Sequence, residues 1–334
     1  MRIAVRLILI IISFQKLFAQ PVFREDILKN GFEQTTIHQP NDYDGEVTVT
    51  LIKKTNPGNK KAVLYIHGFS DYFFQIEMAN QYLSHGFDFY AIDLRKYGRS
   101  FLPNQRLFNV RNIHEYDADI DTALSIIHQS NYASVLLSGH STGGLIISCY
   151  AKKNKGHERF NAVFLNSPFL DMNLSGFQEN IRSPIGSGLG KLIPRKIISM
   201  AINPCYGYSI SKYYYGEWDF DTLWKPIVAP PVNLGWARAI HRAHKQVQKG
   251  NCIDKPILIF QSHQSVYGNK WKQEYLNGDG VLDVNDIQKY GAKLGYQVKQ
   301  VTIHNALHDV FLSQKESRDS AYFELFKWLE VVLP

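Results

Sequence analysis

The pentapeptide Gly139-His140-Ser141-Thr142-Gly143 constrains this chain more than any other feature. It stands between a buried-strand pattern, Val135-Leu136-Leu137-Ser138, and the apolar start of a helix, Gly144-Leu145-Ile146-Ile147. G-x-S-x-G at such a junction is a strand-to-helix elbow. The turn is so sharp that its serine takes a strained backbone, and the flanking glycines let strand and helix approach closely. The helix N-terminus that follows favours negative charge developing beside the serine. A tight turn without chemistry is the plain structural alternative, and the strand and helix on either side favour a nucleophile at Ser141.

The elbow sits in a chain of 334 residues whose first half alternates strand and helix. Strands are predicted over 47–52, 62–66, 87–94, 134–138 and 162–166, and helices over 72–85, 113–128 and 142–152. The Val-Thr alternation of 47–52 reads as an amphipathic strand, whereas the other strands are apolar throughout. Apolar strands without polar alternation belong to a sheet covered on both faces. The rhythm returns late, with strands over 257–262 and 298–303 and helices over 284–294 and 317–332. This is the pattern of a mostly parallel α/β fold.

Residues 168–254 break the rhythm. They hold Trp218, Trp224 and Trp236 together with Tyr206, Tyr208, Tyr213, Tyr214 and Tyr215. We read them as a helical cap inserted into an α/β core made of 20–167 and 255–334. A loop-rich subdomain with its own aromatic core is compatible with that reading.

The N-terminus has a separate character. Arg2 and Arg6 flank the apolar run Leu7-Ile8-Leu9-Ile10-Ile11-Ile12, and Ala19-Gln20-Pro21 follows. A basic start, a short apolar stretch and a small residue before a polar one read as a secretory signal over 1–19, cleaved near Ala19. The stretch falls short of the roughly 20 apolar residues that span a bilayer. The expectation is a secreted or periplasmic protein, with an uncleaved anchor as the alternative.

The formal net charge is +7, of which Arg2, Arg6 and Lys16 supply three, so the remainder carries +4. So small an excess does not argue for nucleic acid. Cys149, Cys205 and Cys252 have no C-x-x-C spacing and form no zinc set. Cys149 lies in an apolar helical pattern and reads as a buried thiol, whereas a Cys205–Cys252 bridge is left open.

Further motifs join the elbow: His67-Gly68-Phe69 after the strand 62–66, Asp93-Leu94-Arg95-Lys96-Tyr97-Gly98-Arg99-Ser100, Asp279-Gly280-Val281-Leu282-Asp283 and His308-Asp309-Val310. With Ser141 they resemble the α/β-hydrolase superfamily, in the branch of monoacylglycerol lipases, lysophospholipases and serine aminopeptidases. Lys96-Tyr97 departs from the Gly-His that relatives usually carry in a structural loop. The resemblance implies an α/β-hydrolase fold and a chain order of serine, acid, histidine. His308, after the last strand and before the last helix, is the expected general base. His304, which directly follows the strand, is the competitor. The backbone N–H groups of Phe69 and Thr142 are the expected oxyanion donors. His67 precedes the serine and is expected to hold its loop with its ring.

The acid is expected after the strand 257–262. Asp279 and Asp283 are both available; the family pattern favours Asp279, with Asp283 as the N-cap of the next helix. The segment also has some of the look of a calcium loop. Tyr275 would occupy the first ligand position and Asp286 the last, where a carboxylate and a bidentate Glu belong, so calcium is disfavoured.

The resemblance implies a serine-dependent hydrolase of carboxylic esters acting on a small-molecule or lipid ester such as a monoacylglycerol or lysophospholipid. Such chemistry needs neither metal nor organic cofactor. Transient membrane-surface contact through the cap is part of this reading; oligomeric state is left open. The alternatives are an aminopeptidase, which would need a cap carboxylate such as Glu217, Asp219 or Asp221 to hold a free amine, and a non-catalytic binding protein on the same fold.

Overall fold

A computed structural model describes residues 21–172, 183–198 and 203–334. Residues 1–19, read above as a secretory signal, lie outside the described residues. Along the chain run β1 (Arg24–Glu25), β2 (Glu33–Asp42), β3 (Gly45–Lys54), β4 (Lys61–Ile66), α1 (Ile76–Ser84), β5 (Phe87–Asp93), α2 (Asp117–His128), β6 (Ser134–His140), α3 (Thr142–Lys153) and β7 (Ala162–Asn166). There follow α4 (Ser183–Leu192), β8 (Ile197–Ile198), α5 (Cys205–Ile210), β9 (Val232–Asn233), α6 (Leu234–Val247), β10 (Ile257–Ser262), α7 (Val284–Gly291), β11 (Val298–Ile303) and α8 (Lys315–Val332).

Among the described residues, nine strands form one sheet in the order β1-β2-β3-β5-β4-β6-β7-β10-β11. From β5 to β11 neighbours are parallel, while β1, β2 and β3 add antiparallel pairings at one edge. One face packs on α2, α3, α6 and α7 through residues such as Leu124, Ile147, Ile240 and Ile287. The other packs on α1 and α8 through Met78, Tyr82, Leu325 and Phe326. Burial on both faces explains why β4, β5, β6, β7 and β10 are apolar along nearly their whole length.

Three local expectations are corrected. The strand at 47–52 is not amphipathic: Thr48 and Thr50 are as buried as their valine neighbours. β2 covers the edge, and Thr48 Oγ1 satisfies itself on the Ser100 carbonyl at 3.1 Å, so threonine is tolerated inside. The helix expected over 72–85 begins only at Ile76. Tyr72, Phe73 and Phe74 stand outside any helix: Phe73 buries its ring in one cluster and Tyr72 and Phe74 theirs in another, and the Phe73 N–H donates to Asp93 Oδ1 at 2.9 Å. The Val284 helix ends at Gly291 rather than 294.

α6 lies within 168–254 and carries Ala239, Ile240, Ala243 and Val247 into the large core. Cys149 Sγ, on α3, is 3.9 Å from the Ala243 carbonyl. Cys205 and Cys252 are buried free thiols: the first packs with Val266 and Tyr275, the second lies in the large core beneath α6. No helix among the described residues is long and apolar enough to cross a membrane.

Candidate active site

β6 and α3 meet at Ser141, whose φ of 51° and ψ of −115° lie outside the ordinary wells for an L-residue. Such a backbone costs about 1–3 kcal/mol and persists only where surroundings enforce it. The Ser141 N–H donates to the Asn166 carbonyl at 3.0 Å, and its own carbonyl accepts from Gly144 and Phe169 at 3.0 Å each. The glycines are a steric requirement. A Cβ on Gly143 would lie 2.3 Å from the Ile66 oxygen, and one on Gly139 would lie 2.8 Å from the Gly143 oxygen.

His308 stands on the loop between β11 and α8 and reaches the elbow from the side. Its Nε2 lies 2.9 Å from Ser141 Oγ. Its Nδ1 lies 2.8 Å from Asp279 Oδ2. All three side chains are buried. Asp279 Oδ1 accepts from the Val281 and Leu282 N–H groups at 2.8 Å each, so the carboxylate is held at both ends. With that acceptor facing it, Nδ1 carries the proton and Nε2 is free to accept from the serine hydroxyl. His304 is exposed beside His263 and takes no part. Asp283 caps α7, accepting from the Asn285 N–H at 2.9 Å. Of the calcium-loop positions, Tyr275 is buried with its hydroxyl donating to the Gly268 carbonyl at 2.9 Å.

The loop after β4 runs directly over the elbow. A Cβ on Gly68 would be 3.1 Å from the His140 ring and 3.2 Å from Ser141 Cβ. Phe69, next in the chain, and Thr142, at the start of α3, both line the same cavity as Ser141 and His308. The His67 ring turns away and holds the loop: Nδ1 donates to the Gly68 carbonyl at 2.8 Å and Nε2 accepts from the Leu94 N–H at 3.1 Å. Burial pushes the His67 imidazole below its usual range. Burial, with His308 beside it, does the same to His140.

The cavity measures about 730 Å³. Phe169, Met172 and Trp236 line one part and Ile210, Phe220 and Ile227 another. Glu217, Asp219 and Asp221 are exposed and outside this lining; Glu217 pairs with Arg318 and Asp219 with Lys212. Several residues that sequence reading passed over lie at or behind the site. Asp309 is buried with its oxygens on Gln75 and Asn166 at 2.7 Å each, which anchors the loop carrying His308; burial pushes its carboxyl up. Its place next to His308 was a signal. Lys225 and Asp71 form a buried pair at 2.8 Å in the cavity wall, and Tyr206 sets its ring edge against His308 with centroids 5.5 Å apart. No sequence signal pairs positions so far apart.

A mostly parallel sheet with a strained serine elbow and a buried histidine–aspartate pair from later loops defines an α/β hydrolase. The family model described as serine aminopeptidase, S33, matches residues 57–312, and the chain belongs to that family. Among curated proteins it is similar to the AB hydrolase superfamily protein YisY of Bacillus subtilis (strain 168), 26% identical over 112 residues, which are 33% of this chain and 39% of that protein. Thus the match spans well under half of the relative's length. In fold it is similar to a soluble variant of the monoglyceride lipase of Saccharomyces cerevisiae, with a TM-score of 0.63 and 16% identity over 89% of this chain and 96% of that one. The monoacylglycerol lipase of Paleococcus ferrophilus gives 0.60 and 16% over 89% and 98%. Est1E of Butyrivibrio proteoclasticus, bound to ferulic acid, gives 0.54 and 14% over 91% and 97%.

Proposed function

We propose that this hydrolase cleaves carboxylic esters of apolar substrates through an acyl-enzyme on Ser141. The observation that carries the reading is the continuous hydrogen-bonded line from Asp279 through His308 to Ser141 Oγ, ending on a largely apolar cavity. Ser141 Oγ attacks the ester carbonyl while His308 Nε2 takes its proton. The oxyanion forms against the Phe69 and Thr142 N–H groups, each such donor contributing about 2.7–4 kcal/mol to the transition state. His308 returns the proton to the leaving alkoxide, and the alcohol departs. Water, deprotonated by His308, then attacks the acyl-enzyme; collapse of the second tetrahedral intermediate returns the proton to Ser141 and releases the acid.

The apolar lining supports an acyl ester of the monoacylglycerol or lysophospholipid type. Aminopeptidase action is less well supported, because none of Glu217, Asp219 and Asp221 lines the cavity. Among the described residues, the carboxylate that does so near the oxyanion loop, Asp71, is already neutralised by Lys225. A fluorophosphonate probe should label the wild type and spare Ser141→Ala. Esters of graded chain length should be cleaved much faster than aminoacyl anilides; the reverse preference would reinstate the peptidase.

We also propose export through the 1–19 segment and transient contact of the 168–254 region with lipid surfaces. Exposed Leu192 and Ile193 beside Lys191 and Arg195 support the second point. N-terminal sequencing of exported protein should begin near Gln20. Co-sedimentation with anionic vesicles should fall when Leu192 and Ile193 are both made Ser.

A further inference from the structure

The loop that carries the Phe69 N–H is strained and held from outside. Ser70, between Phe69 and Asp71, has a φ of 54°, uncommon for a residue with a side chain. Its hydroxyl is buried without a hydrogen-bond partner, so Ser70 does not secure the loop itself. What faces the loop is a turn from residues 220–225. Phe220 packs on Phe74 with centroids 5.4 Å apart. The Asp221 N–H donates to Tyr72 Oη at 2.8 Å, and Trp224 sets its ring against Tyr72 at 5.2 Å. Lys225 completes the row, with Nζ 2.8 Å from Asp71 Oδ1. Only 8% of the Lys225 side chain and 2% of that of Asp71 is exposed. Nζ also lies 5.8 and 5.9 Å from the centroids of Phe74 and Phe220.

We infer that Lys225 is a positioning residue: its ammonium clamps Asp71 and thereby fixes the strained Phe69–Asp71 loop in the geometry that presents the Phe69 N–H to the oxyanion. A buried ion pair is poor evidence of stability, because desolvation offsets much of the attraction. It is well suited to fixing one arrangement, since either charge left alone in the wall would be costly. The inference rests on the ester-hydrolase reading of Ser141. It predicts an effect confined to the transition state, because only there does the carbonyl oxygen carry the charge that the N–H must meet.

The test uses the full chain with Lys225→Met and the double variant Asp71→Asn/Lys225→Met. The double variant removes both charges, so no lone carboxylate is left buried and folding is protected. For each, kcat and KM are measured on a short-chain fluorogenic ester. The inhibition constant of an arylboronic acid, whose adduct with Ser141 places a negative oxygen at the oxyanion position, is measured beside them. Both variants should lose about tenfold to a hundredfold in kcat with KM little changed, the range expected for a slightly misplaced donor. Boronate affinity should fall by a similar factor. A folded double variant with wild-type kcat and boronate affinity would overturn the inference. So would a raised KM with kcat intact, which would make Lys225 a substrate contact. Failure of the wild type itself to react with a fluorophosphonate would instead strike the reading of Ser141, before any variant is compared.

Discussion

Asp279 and Asp283 stand four residues apart on one loop and face opposite tasks: Asp279 Oδ2 meets His308 Nδ1 at 2.8 Å, whereas Asp283 Oδ1 accepts from the Asn285 N–H at 2.9 Å to cap α7. The inward residue is fully buried and the outward one is partly exposed. Their amide variants should therefore separate cleanly. Asp279→Asn should lower kcat by about 10⁴-fold, because an amide turned to Nδ1 favours the wrong imidazole tautomer. Asp283→Asn should leave both rate and stability nearly unchanged, since Asn caps about as well as Asp. Steady-state ester hydrolysis with urea melts of both variants checks this; an inactive Asp283→Asn beside an active Asp279→Asn would reverse the assignment.

Ser141 offers a test in which activity and stability move in opposite directions. Ser141→Ala should abolish ester hydrolysis, a loss on the order of 10⁶-fold, while the chain stays folded. Ser141→Gly should be equally inactive but more stable than wild type by about 1 kcal/mol, because glycine tolerates a φ of 51°. Circular-dichroism melts decide it. Equal melting temperatures for the Ala and Gly variants would show that the elbow stores no strain.

Gly143 should tolerate no side chain. Its replacement by alanine puts a Cβ 2.3 Å from the Ile66 oxygen and 2.6 Å from that of His67, backbone atoms that cannot yield cheaply. Gly143→Ala is expected to cost more than about 2 kcal/mol and to displace the His67–Phe69 loop. Urea denaturation measures the first effect and boronate affinity the second; a variant with wild-type values of both would contradict the packing described.

Three buried imidazoles set the acid side of the stability profile. Burial pushes His67 and His140 down, and pushes His244, whose Nε2 lies 3.0 Å from the Phe169 carbonyl, down to about 4. A depressed folded-state value means that the unfolded chain takes up protons first. The contribution is complete above the unfolded value of about 6.5 and is lost as pH falls from there toward 4. Urea midpoints at pH 7.5, 5.5 and 4.5 should fall in that order, and His244→Gln should flatten part of the slope. A midpoint unchanged between pH 7.5 and 4.5 would refute this account.

The sequence by itself determined the elements whose side chains carry their own geometry. Gly139 and Gly143 around Ser141 admit only a tight strand-to-helix turn, and apolar strands admit only a sheet covered twice. The family resemblance set His308 above His304 and favoured Asp279 over Asp283 without deciding between them; the hydrogen bond from His308 Nδ1 to Asp279 decided it. Where a residue's environment comes from distant chain, the sequence was silent or misleading. Thr48 and Thr50 alternate with valines like a half-exposed strand, yet β2 and the Ser100 carbonyl bury and satisfy them. Tyr72 to Phe74 read as helix, yet two aromatic clusters and Asp93 hold them out of one. Only the tertiary structure joined Lys225 to Asp71 across 154 positions, because a buried charge takes whatever partner the fold brings within reach. Likewise the cavity beside Ser141 is bounded by β4's loop, α3, α5 and α6 together, and no single stretch of chain contains its shape.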